Sequence, residues 1–272
     1  MAIITISRGA FSGGPELAEK VATTLGYRCI SREVLAEASK RYGIPEAKFT
    51  EVLETKPHWW ERWLESLRLY RIVLQAAMCE VAQGGNLVYH GHAGQELLQG
   101  IRHVFKVQLT APPEYRIEQV QARQKINEDT ARAYIEQTDK ARTIRYQAVF
   151  GADWRDSSRY DLVLNMARMS LDSASRLIVD TVARPEFQPT AESEQAFQDL
   201  TLGARVQAAL ITSPKTRNLN INVKAEKGEV RISGILTYPE FEQEVTQIAE
   251  AVPGVQKVIA AFESPPIEYM YP

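Results

Sequence analysis

A chain of 272 residues that is 44% hydrophobic and 24% charged has the apolar content of an ordinary globular protein, enough for two modest cores. Its 32 Lys and Arg against 34 Asp and Glu leave a net charge of -2, which excludes a general binder of nucleic acid or anionic lipid through bulk charge. Cys29 and Cys79 are too few for a disulfide framework and lack zinc-site companions, so a reducing, cytoplasmic setting is the expectation.

The first apolar run, residues 2–6, stops at Ser7 and Arg8 and is too short for a signal-peptide core or a membrane span, so no transmembrane segment is expected. It reads as a strand buried on both faces. Its end meets Ser7-Arg8-Gly9-Ala10-Phe11-Ser12-Gly13-Gly14, a glycine loop that runs into Pro15, whose fixed φ and missing N–H suit the first helical position. Leu17, Ala18, Val21, Ala22 and Leu25 then recur at helical spacing, and Gly26 is placed to cap the end.

N–H groups of Ser12, Gly13 and Gly14 converging at a helix start make a candidate anion site, because the donors and the helix dipole act together. A glycine turn kept for steric reasons is the alternative, and the loop alone leaves both open. A full phosphate loop reads G-x-x-x-x-G-K-S/T, whereas Gly14 and Pro15 stand here where Lys and Ser/Thr belong. Arg8 either supplies part of the missing positive charge or is an ordinary surface arginine. Phe11 is the discriminating residue: with its ring in the hollow and the loop donors already paired, no anion could enter.

Further buried strands are expected at residues 86–90, 104–110 and 161–165, and helices at 31–42, 58–83, 113–125, 129–149 and 171–183. This order predicts an α/β fold, a doubly wound parallel sheet whose ligands collect at the carboxyl ends of its strands. In the second of these helices Trp60, Trp63, Leu67, Leu74 and Met78 fall near one stripe, which is core packing or else a base-stacking wall or a homo-oligomer face. His90 and His92 have no third ligand at suitable spacing, so no metal site is expected. Arg123, Lys125, Lys140, Arg142 and Arg145 form a basic stretch, with Arg142 and Arg145 on one helix face. They clamp phosphate or make a solvated face laced with Glu128, Asp129, Glu136 and Asp139.

Pro185, Pro189, Thr190 and Ser193 punctuate a linker at residues 185–195, between a first domain at 1–184 and a second at 196–264, with a Pro/Tyr-rich tail at 265–272. The second domain reads as a small αββαβ unit. Leu202, Val206 and Leu210 mark a helix, residues 219–225 and 230–235 alternate about a turn at 226–229, and Phe241, Val245, Ile248 and Val252 mark a second helix before a last strand at 255–262.

Taken together, ITISRGAFSGGPELAEKVATTLGY, CISREVL, NLVYHGHAG, VFKVQLTAPPEYRIEQVQAR, IEQTDKARTIRYQAV and SSRYDLVLN resemble the cytidylate-kinase-like family of P-loop proteins over about residues 1–182. The resemblance implies a sheet in P-loop kinase order, a nucleoside-monophosphate pocket and a mobile basic lid over a triphosphate donor, with ATP and Mg2+ as the expected cofactors. Members of this branch carry S-R-x-x-G-S-G-G-R-E in the first loop. Here Phe11 sits at an expected glycine, Pro15 at an expected arginine, Ser31 precedes Arg32-Glu33 where an acidic residue is usual, and Gly91-His92-Ala93 stands where relatives show Gly-Arg-Gly.

The match implies that Arg123, Arg142 and Arg145 are charge clamps with Asp139 orienting one of them, and that Arg8, Ser12, Gly13 and Gly14 surround the donor phosphates. Arg32 and His92 then stand on the acceptor side. INVKAEKGEVRISGIL and IAEAVPGVQKVIAAF are similar to the BON domain, which implies a binding or assembly module whose small ligand or protein partner stays open. Two functions follow from these readings. One is ATP-dependent phosphoryl transfer to a CMP-like nucleoside monophosphate; the other is a catalytically silent kinase-fold regulator that binds a ligand or partner and signals through the BON-like part. Nucleic acid is not an expected partner in either.

Overall fold

The computed structural model describes residues 2–49, 60–91, 93–236, 238 and 240–263, with residues 60–66 described in backbone alone. The first apolar run becomes strand β1 (Ile3–Arg8), and the glycine loop then leads into helix α1 (Gly14–Leu25). Gly13 caps α1 in the left-handed conformation and Pro15 follows as its second residue, one place later than the sequence suggests; Gly26 ends it at φ 66°. Next come β2 (Arg28–Ile30), α2 (Glu33–Tyr42), α3 (Trp60–Ala82), β3 (Leu87–Tyr89), the short α4 (Gly94–Leu97) and β4 (Val104–Thr110). The long hairpin of α5 (Pro113–Gln124) and α6 (Glu128–Phe150) precedes β5 (Leu162–Asn165) and α7 (Leu171–Val182).

The five strands form one parallel sheet in the order β2-β3-β1-β4-β5. Each connection must cross a face of the sheet to return parallel, so helices cover both sides and the central strand carries an unbroken apolar run. Ile4 and Ile6 of β1 pack with Leu17, Ala18 and Val21 of α1 and Ala174 and Ile178 of α7. Ile3 faces the other way, toward Ala76, Ala77 and Met78 of α3. Leu74 and Met78 lie in this same core and Leu67 is buried, so that part of the α3 stripe is packing; Trp59 lies outside the described residues, as do the side chains of Trp60 and Trp63.

β2 and α4 have no counterpart in the sequence reading. Each is only three or four residues long, too short to show a period, and β2 exists because its backbone pairs with β3.

The smaller sheet contains β6 (Ile221–Glu226), β7 (Glu229–Ile235) and β8 (Lys257–Glu263), with α8 (Ala191–Thr212) before it and α9 (Glu240–Glu250) before β8. β6 and β7 are antiparallel and β8 joins β7 in parallel, which is the expected αββαβ order. Lys227 at φ 48° and Gly228 at φ 86° turn the hairpin, as a two-residue loop with both central φ values positive requires. Helix α8 serves both sheets. Leu202, Val206 and Leu210 face the small core, while Ala204, Ala208 and Ile211, one or two residues out of phase, pack into the core that holds α3. Arg205 on that side forks onto Glu80 of α3.

Candidate functional site

β1 delivers the glycine loop to the carboxyl end of the large sheet, between β3 and β4. Phe11 at φ 60° and Gly13 at φ 77° both take the left-handed conformation, which turns successive N–H groups toward one side. The carbonyls are held from the α5–α6 hairpin. Arg116 Nε donates to the Ala10 carbonyl at 2.8 Å, and Arg142 Nη1 donates to the Arg8 carbonyl. Among the described residues, no backbone carbonyl accepts from the N–H groups of Ala10, Phe11, Ser12, Gly13 or Gly14.

Phe11 does not fill the hollow. Its ring meets Tyr134 edge-on, with centroids 6.0 Å apart, beside Ile117, Val120, Ala131 and Ile135 of the hairpin, and Arg123 lies 5.9 Å from its centroid. Beside the loop, at the end of β1, a small hollow is lined by Ser7, Gly91, Ala93, Arg142, Arg145 and Tyr146 together with the apolar Val149, Phe150 and Trp154. Arg142 rests 5.3 Å from the centroid of Trp154. Burial lowers its pKa to about 10, and the charges of Arg8, Arg145 and Arg116 push the same way against the single opposing carboxylate of Asp139. A cluster in which cations outnumber carboxylates is electrostatically incomplete until an anion joins it.

Asp139 Oδ2 lies 2.7 Å from Arg116 Nη1, so this carboxylate orients Arg116 rather than one of the three arginines expected from the sequence. Ser12 Oγ, Arg116 Nη2 and Asp139 Oδ1 are buried and have no hydrogen-bond partner among the described residues. Such groups rarely stay unsatisfied, so they too point to a polar guest. Arg116 was not a candidate from the sequence. The available signal was positional: it sits in the first turn of the helix after β4, at the same sheet end as the loop.

The remaining candidates are spread more widely. Arg145 lines the hollow with Arg142. Arg123 stands outside it, half-exposed and paired with Glu16 at 2.5 Å. Burial disfavours the Glu16 carboxylate, but its own backbone N–H, Arg123 and Arg8 outweigh this and hold its pKa below the usual value. Arg32 caps α2 at the end of β2, exposed and separated from β1 by β3. His92 lies outside the described residues. On either side of it, a Cβ on Gly91 would come 2.3 Å from Tyr89 Oη and one on Gly94 would come 2.5 Å from Tyr89 Cδ1, so both glycines make way for that buried ring.

A second layer fixes the wall of the hollow. Gln95 Nε2 donates to Tyr146 Oη at 2.7 Å and Tyr160 Oη at 2.9 Å, and Tyr146 in turn donates to Glu96 at 2.8 Å. Arg159 forks onto the same carboxylate at 2.8 and 2.6 Å. Tyr160 donates to the Trp154 carbonyl at 2.6 Å and lies 3.3 Å from Ser7 Oγ. Burial first, and then the Glu96 charge, raise the Tyr146 pKa, so the phenol remains a donor. Gly14 and Pro15 replace the usual Lys and Ser/Thr, and among the described residues no three Asp, Glu, His or Cys side chains gather for a metal. The chain's own offer to an anion is amides and guanidinium groups.

A model of the cytidylate kinase-like family matches residues 3–168, and a model of the BON domain matches residues 198–265. The cytidylate kinase of Methanopyrus kandleri is 29% identical over 185 residues, covering 65% of this chain and 90% of that protein. The cytidylate kinase of Ignicoccus hospitalis is likewise 29% identical over 185 residues, with coverage of 68% and 98%. In fold, a crystal structure of an uncharacterized protein from Eubacterium ventriosum aligns with a TM-score of 0.52 at 21% identity, over 66% of this chain and 97% of that one.

Proposed function

The chain belongs to the cytidylate kinase-like family and carries a BON domain toward its carboxyl end, and on that premise we propose that it binds ATP, as the magnesium complex, at the glycine loop and passes the terminal phosphoryl group to a CMP-like nucleoside monophosphate. The observation that carries this reading is the gathering of Arg8, Arg116, Arg142 and Arg145 about a loop whose N–H groups have no backbone acceptor among the described residues. In the transfer, an acceptor phosphate oxygen attacks the γ-phosphorus, the bond to the β–γ bridging oxygen breaks and ADP leaves. Little covalent work falls to the protein; it positions the groups and neutralises charge on the moving phosphoryl. The amides of Ser12, Gly13 and Gly14 hold the donor phosphates with Arg8, while Arg142 and Arg145 meet the moving group. Arg116 and Asp139 keep the hairpin seated on the loop, and Arg32 and His92 serve the acceptor. Arg123 joins them when its pair with Glu16 opens.

The test is a coupled assay with each nucleoside monophosphate, ATP and Mg2+. Steady turnover is expected, and Arg142→Ala lowers kcat/KM by on the order of a hundredfold or more, the loss typical of removing one charge-stabilising group. Absence of turnover with every monophosphate overturns the transfer reading. A second reading, a catalytically silent regulator, is supported by the missing Lys and Ser/Thr and by helix α8, which joins the α3 core of the large sheet to the BON core. It requires calorimetric binding of nucleotide with no turnover in that same assay.

A further inference from the structure

The two adjacent glycines of the loop are needed for different reasons. Gly13 has φ 77°, a backbone conformation that a side chain would strain, and its nearest neighbour to an added Cβ is Leu171 Cδ2 at 3.8 Å. Gly14 is ordinary helical backbone in the first turn of α1, so its conformation alone would admit any residue. A side chain there would instead have to displace Arg8. A Cβ at Gly14 would fall 1.9 Å from Arg8 Cδ, 2.7 Å from Arg8 Nε and 3.2 Å from Arg8 Cγ.

The Arg8 side chain, leaving the end of β1, therefore occupies the space beside Gly14 in the opening turn of α1. Its carbonyl is held by Arg142, which fixes the backbone from which the side chain departs. Burial opposes its charge, and Glu16 and Tyr89 help to retain it. A cation held here adds to the positive end of the helix and to the amides beside it.

Resting on the nucleotide-binding reading above, we propose that Arg8 is the built-in cation of this loop, doing for the donor phosphates what a lysine does in a full phosphate loop, and that Gly14 is its positioning residue, required as the space that seats the guanidinium. The idea accounts jointly for three features of the sequence: no lysine after the glycines, an arginine at the mouth of the loop, and a second glycine where the backbone does not demand one.

The experiment is calorimetric titration of the full-length chain with MgATP, and in parallel with cytidine monophosphate, for wild type, Gly14→Ala, Arg8→Ala and the double variant. Either single change is expected to weaken MgATP at least tenfold and to leave the monophosphate within about twofold, which a general loss of structure would not do. The double variant is expected to bind MgATP no worse than Arg8→Ala, because a methyl at residue 14 harms only by displacing the arginine. Wild-type affinity in Gly14→Ala or Arg8→Ala, or losses that multiply in the double variant, overturns the proposal and leaves the nucleotide reading intact. No MgATP binding by the wild type overturns both. Should Gly14→Ala alone fail to fold, removal of the clash by Arg8→Ala must restore folding, and a double variant that also fails to fold counts against the seat.

Discussion

Phe11 and Ala93 stand at φ 60° and 55°, where an L side chain crowds its own peptide and costs about 1–2 kcal/mol. Neither is glycine, so each carries a local conformational cost that a glycine would not. At Phe11 the ring partly offsets it by packing on Tyr134 and the hairpin, and at Ala93 only a methyl group is buried. Ala93→Gly is therefore expected to stabilise the fold by about 1 kcal/mol, and Phe11→Gly to be about 1 kcal/mol more stable than Phe11→Ala. Urea denaturation checks both, and a destabilised Ala93→Gly would show that the loop after β3 is not strained. The Arg116–Asp139 pair makes a second residue-scale prediction. Its side chains are 9% and 26% exposed, so Asp139→Asn leaves a mostly buried guanidinium uncompensated and should cost about 3 kcal/mol. A cost below about 0.5 kcal/mol would place the pair among surface ion pairs of little consequence.

At the scale of elements, α8 decides how the two sheets relate. Its small residues Ala204 and Ala208 let it approach α3 closely, and the nearly buried Glu80 carboxylate takes the fork of Arg205 and also faces Arg41 of α2. Ala208→Leu forces extra volume into this contact and should destabilise the whole chain by about 1–3 kcal/mol. The measurement is the thermal midpoint, followed both by far-ultraviolet ellipticity and by a probe in the β6–β7 hairpin; an unchanged midpoint would mean that α8 sits loosely. The α5–α6 hairpin is the other decisive element. Its periodicity predicts a charged helix pair, and the sequence alone leaves open whether the arginines face water or the loop. The structure turns Arg116 and Arg142 onto loop carbonyls, at sequence separations of 106 and 134 residues.

At the scale of the whole molecule, a helix shared by two cores couples their folding. One calorimetric transition is expected for the full chain, and two resolved transitions would show that the sheets unfold independently. Acidification supplies a further test. His90 and His103 are both shifted below the ordinary histidine pKa of 6.5 by burial, His90 with help from Arg8. The folded chain keeps them neutral where the unfolded chain takes up protons, so their stabilising contribution is intact above about pH 6.5 and is lost as the pH falls below it. Urea midpoints should therefore drop between pH 7.5 and 5.5, with a shallower drop in His103→Gln; a flat profile in the wild type would refute the assignment. Glu16 and Glu80, held below the usual carboxylate range, add to the loss only at more acidic pH.

The sequence by itself determined what depends on short range: the apolar run of β1, the helix of Leu17, Val21 and Leu25 ending at Gly26, and the alternation about Lys227-Gly228 in the small sheet. These are set by neighbours a few residues apart, and hydrophobic periodicity with turn chemistry suffices to read them. Tertiary structure alone decided the rest. Which way Phe11 turns, that Asp139 holds Arg116, that Gly14 makes room for Arg8 and that α8 is buried on two faces are outcomes of packing between segments distant along the chain. Such contacts leave no period in the sequence, because each side chain's partner is chosen by where the sheet brings the strand ends together.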